Sequence, residues 1–184
     1  MLQITASILL LLFIQCQAGE VKVQDNFDTG KFMGMWYALM AASNCPMFEE
    51  MKAHMTRPIV VYTMHGKTVK TSMAFRGPEG CAQMDDIMET LAPGHYKHKS
   101  ESHHFHTAKG DSELTIVHTN YNSHAMEFRR TAHPGGTCIT VNLQGRNTDL
   151  PEEVKAKFID YIQHLGLSEK DMTIFSKGEE CIPK

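Results

Sequence analysis

Between residues 34 and 146 the chain is a succession of short apolar or β-branched runs separated by Gly, Pro and Asn, and one stretch of helical period follows them. That ordering constrains the fold more than any other feature. Residues 34–42 (GMWYALMAA) form the first run, and 59–65 (IVVYTMH) and 68–75 are joined at Gly66-Lys67 as a hairpin. Residues 81–91 follow the loop RGPEG, 95–106 follow Ala92-Pro93-Gly94, and 113–121 (ELTIVHTNY), 124–131 and 137–146 complete the series, the last after His133-Pro134-Gly135-Gly136. Eight strands with connections this short pair antiparallel with their neighbours. An open eight-stranded sheet would present two unpaired edges; closure removes them, and a barrel of this size can hold one small ligand.

The period then changes. Asp149-Leu150-Pro151-Glu152 offers Asp149 as an N-cap and an acid for the first turn, and Val154, Phe158, Ile162 and Leu165 recur at helical spacing up to Gly166. Residues 172–175 read as a last short strand. The expected fold is therefore all-β: an eight-stranded antiparallel up-and-down β-barrel with one C-terminal α-helix packed on it.

Residues 1–18 carry no charge, and the apolar run 8–14 leads to Cys16-Gln17-Ala18, with small residues at the positions a signal peptidase reads. A signal peptide over 1–18, a single domain over 19–184 and a secreted, extracellular protein are expected. The apolar run is about half of the roughly 20 residues a spanning helix needs, so no membrane span is expected. A net charge of -3, from 18 Lys+Arg and 21 Asp+Glu with no basic cluster, makes nucleic acid an unsuitable partner. The chain is expected to act as a monomer.

Loss of the signal removes Cys16 and leaves Cys45, Cys81, Cys138 and Cys181 in an oxidising compartment. No two are spaced C-x-x-C, which excludes a zinc ribbon or a thioredoxin-type pair. His98, His103, His104 and His106 share one hairpin, and His104 and His106 share a face. No acid or Cys stands beside that pair, so it reads as a solvated arm and no metal site is expected. Strand parity puts Cys138, Thr140, Asn142 and Gln144 on one side and Ile139, Val141 and Leu143 on the other. With the apolar set facing the helix, Cys138 points into the lumen. On the preceding strand His124, Met126, Phe128 and Arg130 share a face, expected to line the cavity. Met40, Met64, Met73, Met84, Met88 and Met126 suit either an adaptable apolar calyx or core filler.

Several segments resemble the lipocalin family. Residues 23–27 (VQDNF) with 31–37 (KFMGMWY) resemble its G-x-W opening, Thr119-Asn120-Tyr121 resembles its T-D-Y segment, and Gly145-Arg146 ends a strand where the family places its third-motif Arg. The resemblance covers residues 23–184. It implies that Trp36 and Arg146 stack at the closed end of the barrel, with Gly34 and Tyr121 as structural partners, and that a disulfide joins Cys81 to Cys181. Within the family the chain is similar to the alpha-1-microglobulin and prostaglandin D synthase branches. The synthase needs a nucleophilic Cys at a position that is Pro58 here, so catalysis of that kind is not expected. Cys45 falls where the alpha-1-microglobulin branch carries an exposed reactive thiol, with Lys99, Arg130 and Asn142 where it has assisting lysines and His133 near a mouth histidine that suits a haem. Cys45 and Cys138 could equally pair with each other, which would abolish both thiols.

These residues imply a non-enzymatic binding protein that requires no cofactor and carries a small hydrophobic molecule such as a retinoid, a fatty acid or a haem-like tetrapyrrole. Ligand contacts are expected from Cys45, Lys99, His124, Met126, Phe128, Arg130, His133, Cys138 and Asn142. The alternative is a thiol-dependent haem or radical scavenger or reductase working through Cys45.

Overall fold

A computed structural model describes residues 21–98 and 111–184. The expected signal with Cys16, and Lys99, His103, His104 and His106, lie outside the described residues. Eight strands, β1 (Gly34–Ser43), β2 (Ile59–His65), β3 (Thr68–Gly77), β4 (Gly80–Ala92), β5 (His95–His98), β6 (Ser112–Thr119), β7 (His124–His133) and β8 (Gly136–Gly145), each pair antiparallel with the next. β1 also pairs with β8, which closes the barrel, and the short β9 (Met172–Ile174) adds to β1 from outside. The expected up-and-down barrel is thus the architecture observed. Among the described residues no helix is long and apolar enough to cross a membrane.

Among the described residues three α-helices accompany the strands, α1 (Thr29–Phe32), α2 (Pro46–Lys52) and α3 (Glu152–His164), with one 3-10 turn at Glu169–Asp171. α3 buries Val154, Phe158 and Ile162 against Met126, Phe128, Val141 and Leu143 on the outer face of β7 and β8. Each such buried side chain contributes about 1.5–3 kcal/mol. The N-cap is Pro151 rather than the expected Asp149, and no side chain caps the helix; the Pro151 carbonyl accepts from Val154 and Lys155. Tyr121, expected at a strand end, instead turns the chain after β6 at φ 64°.

A second core fills the barrel. Trp36, Val60, Tyr62, Val69, Met88, Tyr96, Leu114, Ile116 and Ala125 point inward from their strands and are buried together with Phe27 and Phe32. β1 serves both cores because its register slips between Ala38 and Met40. Trp36 therefore faces the lumen and Met40 faces α3.

Candidate ligand-binding site

The closed end of the barrel is built on Trp36 and Arg146. The Arg146 guanidinium carbon lies 3.7 Å from the Trp36 ring centroid, and Trp36 Nε1 donates to the Phe32 carbonyl at 2.9 Å. Arg146 also donates to the carbonyls of Lys31, Phe32, Met33, Met35 and Tyr121 at 2.9–3.1 Å. One planar cation thus gathers the chain before β1, the start of β1 and the turn after β6. Gly34, at φ 97°, leaves room for it: a Cβ there would stand 3.3 Å from Arg146 Nη1. The Tyr121 hydroxyl accepts from the Asp28 and Gln24 nitrogens and ties the N-terminal segment across the same end.

A polar layer crosses the lumen. The Tyr62 hydroxyl on β2 donates to Glu127 on β7, and Gln144 Nε2 on β8 donates to the Tyr62 oxygen at 2.9 Å and to Glu127 at 3.0 Å. Asn142 Nδ2 reaches Glu127 at 3.4 Å, and Arg129 Nε lies 3.7 Å from the same carboxylate. Arg129 Nη1 then donates to Asp86 on β4 at 3.1 Å, and Asp86 meets His98 Nδ1 on β5. Tyr62, Glu127 and Gln144 are at most 3% exposed. Burial and the adjacent Glu127 carboxylate push the Tyr62 hydroxyl well above its ordinary pKa. Burial alone would pull Arg129 down, but the Glu127 and Asp86 carboxylates more than offset it and hold the guanidinium above its usual value.

At the open end Cys45 and Cys138 form a disulfide, and Cys81 is bonded to Cys181. The first bond settles the alternative left open by the sequence. It joins the residue before α2 to the mouth of β8, where Ser43 Oγ bonds the Ile139 carbonyl and Thr140 Oγ1. All four cysteines among the described residues are therefore bonded, and Cys45 carries no thiol. Pro58 is buried at the start of β2, its carbonyl accepting from Ala38.

Several expected cavity residues face elsewhere. Met126 and Phe128 lie opposite Leu143 and Val141 in the β7–β8 ladder and pack with them under α3. Arg130 shares that outer face, its guanidinium 5.7 Å from the Phe128 ring centroid and exposed to solvent. His124 lies outside near the closed end, its Nε2 3.3 Å from that of His118. The physical reason is that α3 covers these strands, so their apolar parity marks the helix side. Asn142 and Cys138 do face inward, and His133 stands at the mouth with its Nδ1 accepting from the Gly135 N–H. Met73 and Met88 belong to the interior core, Met40 and Met126 to the α3 core, and Met64 is half exposed.

Tyr62, Asp86, Glu127, Arg129 and Gln144 were not singled out in the sequence. A signal for three of them was present. The two-residue turn Pro134-Gly135 sets a register in which Phe128 opposes Val141, which sends Glu127 and Arg129 inward with Asn142 and Gln144.

Comparison with known proteins agrees with this geometry. Residues 33–179 match the lipocalin / cytosolic fatty-acid binding protein family. The olfactory protein of Lithobates pipiens is 38% identical over 97% of both chains. Prostaglandin-H2 D-isomerase of Mus musculus is 33% identical over 94% of this chain and 91% of its own. The solved siderocalin Ex-FABP, described as functioning through dual ligand specificities, superposes with a TM-score of 0.67 at 19% identity, covering 83% of this chain and 99% of that one. A barrel closed by Trp36 and Arg146, with α3 on its outer face and a family match over most of its length, makes this chain a member of the lipocalin family.

Proposed function

We propose that this protein is a secreted, monomeric carrier of one small hydrophobic molecule, bound inside the barrel. One observation carries the reading: the barrel is sealed below by Trp36, Arg146 and a packed apolar core, and beyond that core its inward faces keep partly exposed side chains, among them Met73, Met84 and Asn142. A ligand with an apolar body gains about 25 cal/mol for each Å² it buries on such walls. The uncharged segment 1–18 and two disulfides support an extracellular location. Retinoids, fatty acids and tetrapyrroles are the ligand classes the sequence suggests.

Thiolate chemistry does not belong to this reading. Cys45 and Cys138 are bonded to each other, and Pro58 stands where a synthase would hold its nucleophile.

Trp36 is the sole tryptophan, fully buried in the barrel, and therefore reports on changes in the packing of its interior. Titration with all-trans-retinol is expected to quench its emission to saturation at one equivalent. Native mass spectrometry of protein taken from its source fluid is expected to show a bound small molecule. Absence of both would sink the carrier reading.

A further inference from the structure

We infer that the polar layer across the lumen selects ligands by head group: it accepts alcohols, ketones and amines and rejects carboxylates. The inference rests on the carrier reading and narrows it: of the ligand classes the sequence suggests it keeps retinol-like alcohols and ketones and sets aside fatty acids and carboxylate-bearing tetrapyrroles. Among the described residues the layer holds two carboxylates, Asp86 and Glu127, against one guanidinium, Arg129, and one imidazole, His98. Asp86 is met by both His98 Nδ1 and Arg129, so Glu127 has only a share of one guanidinium.

The single strong cation is already engaged from both sides. Arg129 Nη1 is 3.1 Å from Asp86 and its Nε is 3.7 Å from Glu127, so its charge is shared between two anions before any ligand arrives. A ligand carboxylate placed here must displace one of those anions or stand beside both, and little bulk water reaches residues as buried as Glu127 to screen the repulsion. The other Lys and Arg side chains of the described strands turn away. Lys70 pairs with Asp85, Lys97 with Asp111 and Arg76 with Glu179, all on outward parity, and Arg130 lies on the α3 side of the sheet.

A neutral or basic head meets a different reception. Glu127 is surrounded only by donors, Tyr62, Gln144, Asn142 and Arg129, and an incoming hydroxyl or ammonium can replace one of them without leaving the carboxylate bare. Tyr62 and Gln144, which can both donate and accept, can re-form their bonds around a ligand oxygen, so alcohols and ketones also fit. Rejection of the acid therefore comes from the charge balance, and acceptance of the neutral head from side chains that can turn.

The test is a matched series with one tail and three heads: dodecanol, dodecylamine and dodecanoic acid, competing with the neutral probe N-phenyl-1-naphthylamine on the full mature chain at pH 7.4. Dodecanol and dodecylamine are expected to displace the probe at least about tenfold more tightly than dodecanoic acid, a difference of about 1.4 kcal/mol. Glu127→Gln is expected to bring the acid-to-alcohol ratio toward one, and Arg129→Gln to widen it. Asp86→Asn repeats the first direction should Glu127→Gln fail to fold by circular dichroism. An acid that binds as well as the alcohol overturns head-group selection while leaving the carrier reading in place. A ratio that does not move in the charge variants overturns it as well. Displacement by none of the three defeats both readings.

Discussion

Asp86 on β4 and Arg129 on β7 meet at 3.1 Å across the inside of the barrel, from strands that are not neighbours in the sheet. The pair therefore braces opposite walls. Both side chains remain about a quarter exposed, at 22% and 27%, so solvent softens the cost of losing one partner. Asp86→Ala is expected to lower stability by about 1–3 kcal/mol, below the figure for a fully dry pair. Replacing both, as Asp86→Ala with Arg129→Met, is expected to recover only part of that loss, because Glu127 then loses its nearest cation and keeps only the donors Tyr62, Gln144 and Asn142. Urea unfolding of the wild type, both single variants and the double variant closes the cycle; a double variant as weak as the sum of the singles contradicts the brace.

The closed end depends on guanidinium shape as much as on charge. Arg146 contacts five carbonyls and the Trp36 ring together. A lysine ammonium has three donors on a point charge and cannot reach that set. Arg146→Lys is expected to cost about 2–3 kcal/mol, a few lost hydrogen bonds at ~1 kcal/mol each, and to red-shift Trp36 emission. An unchanged urea midpoint would leave the cation as ornament.

Gly34 and Gly66 separate backbone cost from crowding. Both have positive φ, but a Cβ at Gly34 would stand 3.3 Å from Arg146 Nη1, whereas one at Gly66 meets nothing within 4 Å. Gly66→Ala is expected to cost only the left-handed penalty of about 1–2 kcal/mol. Gly34→Ala is expected to cost more and to weaken the Arg146 contacts, read as a larger drop in melting temperature together with a change in Trp36 emission. Equal losses at the two positions would remove any crowding role for Arg146.

Barrel and helix were legible because their periods are simple. Each strand alternates, each hairpin turn carries Gly or an equivalent, and Val154, Phe158 and Ile162 keep one face. α1 and α2 are too short for a period to show. The inside of the barrel was harder to read for a physical reason. β7 is covered on both faces, by the lumen core on one and α3 on the other, so burial alone does not tell its sides apart. Met126 and Phe128 are the more apolar set and go to the helix; Glu127 and Arg129 go inside because partners on three other strands satisfy them. A pattern of hydrophobicity carries no record of those partners.

Acid should weaken the outer wall. Burial holds the imidazoles of His118 and His124 below the ordinary histidine value; Lys157 adds to this at both, His118 adds to it at His124, and Glu153 partly opposes it there. The unfolded chain takes up protons near pH ~6.5, and the folded chain does so only at lower pH. Their contribution is therefore complete above that value and lost as pH falls through the folded pKa values. Asp28 and Asp171, also depressed, act in a lower window, below about 4. The urea midpoint is expected to fall between pH 7 and pH 5, and to fall less in His118→Gln/His124→Gln. An identical slope in the variant would assign the loss to other groups.

The Cys45–Cys138 disulfide sets how firmly the mouth is held. It spans 93 residues, and α2, which begins directly after Cys45, has no buried residue of its own to fasten it. Cys81–Cys181 spans 100 residues and fastens the tail to β4 one residue past the β3–β4 turn, without touching α2. Each bond stabilises by about 2–4 kcal/mol in the usual range, with loops this long near the upper end of the chain-entropy model. Stability alone therefore should not distinguish the two, whereas ligand exchange should. Alkylation without reduction is expected to label none of Cys45, Cys81, Cys138 and Cys181. Replacing Cys45 and Cys138 with Ser is expected to release N-phenyl-1-naphthylamine at least several-fold faster, because α2 is then held to the rim only by noncovalent contacts. Replacing Cys81 and Cys181 with Ser should cost similar stability and leave the release rate near that of the wild type. Faster release in the second pair alone would move control of the mouth from α2 to the C-terminal tail.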